Sequence, residues 1–238
     1  MPVSLVRRHA ARALVAATAL AAVVAVAPFV ATAATPSVPV TSAPLHVRAE
    51  TTRVELVAGS SEARYHANEV FLSSGPNEAV GRTNNVAGAI EIGADGSIAA
   101  DKSRIAVDLT SLQSDSANRD RYIKANTLKV ADHPNAIFVV TSAPGLPVPL
   151  PTSGNAAFEL VGDLTVHGVT RPATWQAVAT FAEGEVVASA TTTVLMTDFG
   201  MTPPKVASLA SIEDAVTLVL DVRATVAPTV AELLSDQS

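Results

Sequence analysis

The chain has 238 residues, enough for one domain with a full hydrophobic core, and a formal net charge of -6. That acidic balance and an aromatic content of 4% argue against a nucleic-acid partner, which needs clustered positive charge and stacking surfaces. The absence of cysteine excludes disulfides, thiolate nucleophiles and cysteine-held metals.

At the N-terminus Arg7, Arg8 and Arg12 precede an uncharged apolar run from Ala13 to Val30, and Ala31-Thr32-Ala33 supplies the small residues of a cleavage site. Residues 1–33 therefore read as a secretory signal peptide, and the mature protein is expected in the periplasm or outside the cell. The competing reading is a retained membrane anchor. The run is long enough, but it is alanine-rich and broken by Pro28. Residues 34–52, rich in Thr, Ser, Pro and Val, read as a linker to a domain over 53–226.

Within that domain apolar residues recur at every second position, as in half-buried strands. Val86, Ile90 and Ile92 share a face with Gly88, while Asn85 and Glu91 point away. Ile105, Val107 and Leu109 form the next such face. A helix is predicted from about Ser114 to Val130, with Ile123 and Leu128 as an imperfect apolar stripe, and Pro134 bounds it. Ala136 to Val140 is apolar on both faces, which calls for cover by the helix or by a second copy of the chain. A proline-rich loop spans Ala143 to Asn155. Beyond it, Phe158, Leu160, Leu164 and Val166 alternate with polar residues, and so do Trp175, Ala177, Ala179 and Phe181. Val216, Leu218, Leu220 and Val222 close the series. Ala94-Asp95-Gly96-Ser97 and Glu183-Gly184-Glu185 carry hairpin chemistry. Residues 227–238 read as a tail, frayed or helical.

About eight strands and one helix define an all-β domain. A sandwich and a closed barrel both fit, and the barrel is favoured because it leaves no exposed edge. Small residues at inferred inward positions (Gly88, Gly162, Ala177, Ala179, Ala188 and Ala190) predict an interior with room for a ligand.

Chemistry-bearing motifs are few. His167-Gly168-Val169-Thr170-Arg171-Pro172 sits between two strands, and its glycine and proline suit a hairpin connection better than a general base. His46, His66 and His133 form no metal-binding spacing with one another. Asp198-Phe199-Gly200 lacks the companions of the kinase magnesium triplet, so Asp198 is expected to cap a turn and Phe199 to plug a barrel end. Arg119 and Arg121 lie in a charged cluster that reads as a solvated helix face. No cofactor fingerprint and no catalytic constellation is found.

Three segments together resemble the YceI-like family of polyisoprenoid-binding, lipocalin-like proteins. They are Arg119 to Ile123 continuing through Leu128 to His133-Pro134-Asn135-Ala136-Ile137-Phe138, Val161-Gly162-Asp163-Leu164 through Pro172, and Asp198-Phe199-Gly200-Met201. The resemblance implies an eight-stranded antiparallel lipocalin-like barrel with one inserted helix, an apolar cavity for an isoprenoid chain or other long-chain amphiphile, and no catalysis. Met196 stands where the family often has a basic residue, and Glu69 stands near the place of its usual histidine.

The leading expectation is thus an exported carrier whose ligand lies against Tyr65, Phe71, Phe138, Trp175, Met196 and Phe199. The alternatives are a structural or interaction module with a packed barrel, forming a homodimer, and a metal-dependent or hydrolytic enzyme around His167.

Overall fold

The computed structural model describes residues 50–230; the expected signal peptide, most of the expected linker and residues 231–238 lie outside them. The described chain opens with β1 (Glu50–Leu56), β2 (Glu62–Phe71), β3 (Gly75–Thr83), β4 (Val86–Gly93), β5 (Arg104–Asp108) and β6 (Gln113–Ser114). Helix α1 (Ala117–Tyr122) and a π-helical turn (Ile123–Thr127) follow. Then come β7 (Asn135–Ser142), β8 (Gly154–Val166), β9 (Val169–Ala182), β10 (Glu185–Leu195), a 3-10 turn (Thr197–Phe199) and β11 (Leu209–Val230).

Eleven strands make an eight-membered ring because several members are interrupted. β11 is long enough to pair with β2 through Leu209–Asp221 and with β1 through Ala224–Val230, so β1 and β2 lie end to end along it. In the same way β3 pairs with β2 while β4 pairs with β1, and β4 meets β5 while β3 meets β6. From β5 the ladder runs through β7, β8, β9 and β10 back to β11, every pairing antiparallel. The sheet closes on itself as an eight-stranded barrel with one short helix, β1 bonding both β4 and β11.

β11 carries the ladder four residues into the segment expected to be a tail, with Ala227 opposite Arg53. β1 likewise begins three residues before the expected domain boundary at residue 53.

The alternation is clearest in β9, where Ala173, Trp175, Ala177, Ala179 and Phe181 are buried and Thr174, Gln176 and Thr180 are exposed. Glu91 does lie on the outer side of β4, yet it is buried. The Lys102-Ser103 segment folds over it, with Lys102 Nζ 3.1 Å from its carboxylate and the Ser103 hydroxyl accepting from its backbone N–H. The β8–β9 connection is His167-Gly168, with φ of +53° and +75°, as a type I′ hairpin requires at both positions. Pro172 sits inside β9, opposite Asp163. The β9–β10 ladder starts only at Gln176, so the missing N–H of Pro172 breaks no bond on that side.

The helix is shorter and more irregular than its sequence pattern predicts. The Ser116 hydroxyl caps α1 by accepting from the Arg119 N–H, and after Tyr122 the turn widens, with Leu128 N–H donating to the Ile123 carbonyl. Ile123 and Leu128 are five residues apart, out of phase on an α-helix. The π-helical turn brings both toward the barrel interior.

Candidate functional site

Buried side chains fill the barrel unevenly. At one end Phe181, Val186 and Ala179 form a separate cluster, packed with Phe158 and with Leu146 and Leu150 from the proline-rich loop. At the other end lies a cavity of about 170 Å³. Apolar cavities of about 150 Å³ in other proteins stay dry and admit a benzene ring.

The cavity wall is built from every side of the ring except the β3–β4 position. β5 contributes Ile105 and Val107, and β7 contributes Phe138. Leu164 and Val166 come from β8, Val194 from β10, and Val216, Leu218 and Leu220 from β11. Ile123 and Leu128 of the helical segment close over it, together with Phe199, Met201 and Pro204. Ala136 and Ile137 of β7 line the same cavity beside Phe138. Besides Arg64, Tyr65, Thr127 and Trp175, the lining side chains are hydrocarbon or thioether. Arg64 spends its charge elsewhere, on Glu62 at 2.8 Å and on Asp221.

Five of the six sequence-predicted site residues meet at this cavity: Tyr65, Phe138, Trp175, Met196 and Phe199. Phe138 and Trp175 lie against each other with ring centroids 5.7 Å apart, tilted by 46°. Phe71 does not join them. It ends β2 opposite Gly75 and Leu209, two alternation steps beyond the cavity-lining Ala67 and past the bulge in β11 between Ile212 and Val216.

The inference from small residues to open space has to be corrected in its location. Gly162, Ala177, Ala179 and Ala190 are buried, but neither they nor Gly88 and Ala188 line the cavity. Around Ala179 and Ala188 the space is taken by larger side chains, Phe158 and Phe181 among them. The room exists instead among larger aliphatic residues, where opposing walls stand too far apart to meet.

Two close approaches shape the aromatic wall. A Cβ on Gly81 would lie 2.2 Å from Cε1 of Tyr65, its cross-strand partner, so the missing side chain is what lets the phenol ring lie flat against β3. A Cβ on Gly162 would lie 2.0 Å from the Val139 carbonyl oxygen and 3.0 Å from the Phe138 ring. The Trp175 Nε1–H is buried without an acceptor, a deficit of about 1–3 kcal/mol.

Polar chemistry gathers beside Tyr65. Glu69, buried on β2, accepts from Arg119 of α1 at 2.8 Å and from Asn77 at 2.8 Å. Arg119 also pairs with Asp115, and Asp120 accepts from the Ser114 hydroxyl and N–H. The helix is thereby tied to β2 and to its own N-terminal approach, rather than presenting Arg119 to solvent as the sequence suggested. Burial pushes the Tyr65 phenol up to about 12; Arg119 opposes the shift, and Asp120, Glu69 and Asp115 add to it. The helix–β2 ion pair was not visible in the sequence, because its partners stand 50 residues apart.

His167 holds the turn. Its Nδ1 donates to the Phe199 carbonyl at 3.2 Å, its ring meets His133 edge-on at 5.1 Å, and its buried Nε2 has no hydrogen-bond partner. Among the described residues no three His, Asp or Glu side chains converge as a metal site would need. Phe199 is buried at the barrel end, as its motif suggested. The turn it belongs to is capped by Asp214, which accepts from Thr197 N–H and hydroxyl, whereas Asp198 is exposed.

The YceI-like domain profile matches residues 50–224. A UPF0312 protein of Pseudomonas putida is 40% identical over 113 residues, 43% of this chain and 54% of that protein. Protein YceI of Escherichia coli O157:H7 is 34% identical over 80 residues, 33% of this chain and 38% of its own length. The chain thus spans about half the length of the curated Pseudomonas putida relative. Among solved structures, a polyisoprenoid binding domain from Saccharophagus degradans, implicated in plant cell wall breakdown, superposes with a TM-score of 0.57 at 15% identity. It covers 75% of this chain and 98% of that one. BcnA of Burkholderia cenocepacia gives 0.55 at 15% identity over 71% and 99%. At that identity these two speak for the barrel alone. The profile, however, runs from the first strand of the ring well into the last and takes in the whole cavity wall, and on that ground the chain belongs to the YceI-like family.

Proposed function

We propose that this protein is an exported, non-catalytic carrier that holds an apolar or amphiphilic ligand, an isoprenoid or acyl chain, in its barrel. The observation that carries the reading is the 170 Å³ cavity walled almost wholly by hydrocarbon. Such a site recognises apolar area, at roughly 0.8 kcal/mol per buried methylene, and has no groups arranged for covalent chemistry. The polyisoprenoid binding domain that shares the fold supports an isoprenoid as the ligand class. The signal-like residues 1–33 support export to the periplasm or the cell exterior.

Native mass spectrometry of the protein purified from its own envelope or medium tests all of this at once. A mass excess that disappears on organic extraction, on a chain lacking residues 1–33, is the expected result. Protein that carries no lipid, and that takes up neither a fluorescent acyl probe nor a prenyl probe, overturns the carrier reading. If that empty protein sediments as a dimer, an interaction module takes its place.

A further inference from the structure

We infer that the tilted pair Phe138 and Trp175 is the floor of a dead-ended tube and sets the length of chain that the barrel accepts. The inference rests on the carrier reading. Along each wall strand, cavity lining stops at one level. On β8 it includes Val166 and Leu164 but not Leu160 or Phe158, and on β9 it includes Trp175 but not Ala177 or Phe181. On β10 it includes Val194 but not Ala190, and on β11 it ends at Leu220, short of Ala224 and Val226. No residue of β4 takes part.

Below that level the interior holds a second cluster of buried side chains. Phe181 and Val186 are packed there against Leu146 and Leu150 of the proline-rich loop, so a chain entering past Ile123 and Phe199 has no second exit. The floor is held in place by what surrounds it. Gly162 clears the space across which the Phe138 ring lies, and Trp175 stays buried although its N–H finds no acceptor. Its ring is there for bulk. Behind it stand Ala177 and Ala190, which could not by themselves stop a chain.

Trp175 is the single tryptophan of the chain, so its emission reports contact with the floor. The test titrates the wild-type protein with straight-chain alkanols from butanol to dodecanol. Affinity should rise about fourfold per added methylene until the chain meets the ring pair, then stay flat, with the tryptophan emission shifting at that same length. Trp175→Leu should move the break to longer chains, and the first alkanol beyond the wild-type break should gain about fourfold over wild type. Phe138→Leu should move it in the same direction, and reads the same floor if Trp175→Leu does not fold. Val194→Leu, which narrows the tube above the floor, should move the break to shorter chains.

An affinity that climbs through the whole series without a break overturns the inference and leaves the carrier reading standing. So does a break that stays in place when the floor residues are cut down. Failure of the wild-type protein to bind any alkanol removes the carrier reading itself.

Discussion

The ion pair between Glu69 and Arg119 should be the latch that holds the helical segment over the cavity. At 2.8 Å and an effective dielectric of 20, the gross attraction is about 6 kcal/mol. Most of that is offset by desolvation, since the side chains are only 4% and 15% exposed. Arg119 also keeps Asp115 when Glu69 is neutralised, so the net coupling should be roughly 1–3 kcal/mol. The perturbation is Glu69→Gln, which keeps the shape and an acceptor for Asn77, combined with Arg119→Gln in a double-mutant cycle. Urea unfolding gives the coupling energy. Phenolate absorbance gives a second readout, because Tyr65 feels both charges. Glu69→Gln should lower the Tyr65 pKa from about 12, since the carboxylate helps to raise it; Arg119→Gln should raise it further. A coupling under about 0.5 kcal/mol with an unmoved Tyr65 titration would refute the latch, for the pair would then behave like an exposed surface bridge.

Three further outcomes follow from single side chains. Tyr65 has its pKa raised from 10.0 to about 12 in the folded state, so folding is undisturbed below pH 10, and stability drains away as pH rises toward 12 by roughly 2–3 kcal/mol. Tyr65→Phe should remove that portion of the alkaline loss in pH-dependent urea melts. Gly162→Ala should cost roughly 3 kcal/mol or more, because the new methyl meets backbone, while Gly81→Ala should cost roughly 1–2 kcal/mol, because the Tyr65 ring can yield. Equal costs in denaturant unfolding would contradict that ranking. At the β8–β9 turn, His167→Val should cost roughly 1–2 kcal/mol and His167→Asn about 0.5 kcal/mol or less, since Asn tolerates the positive φ. Both should bind a fluorescent acyl probe as wild type does; loss of binding in the stable Asn variant would give His167 a role beyond the turn.

Alternation is a local property, and the sequence carries it well. Trp175 through Phe181 show their inward face from spacing alone, as do Val216 through Val222, because a strand turns successive side chains to opposite sides whatever lies around it. The hairpin at His167-Gly168 was legible for the same reason. The helix was legible in place but not in form: Ile123 and Leu128 look misphased until the π-helical turn reconciles them.

Ring closure was visible only as a preference, because a long β11 flanked end to end by β2 and β1 depends on pairings across 138 to 180 residues. Motif positions pointed to five of the lining residues, but the extent of the cavity was not visible in the alternation. Small inward residues suggested room along the barrel, yet whether a gap stays open depends on the side chains arriving from the opposite wall and from the loops. Phe181, Leu146 and Leu150 fill one end; around Leu164, Val194 and Leu218 nothing reaches across. The sequence alone determined that these strands have an apolar face and that the domain is all-β. Only the tertiary structure decided where that barrel is hollow, because packing is a sum over neighbours that no single strand contains.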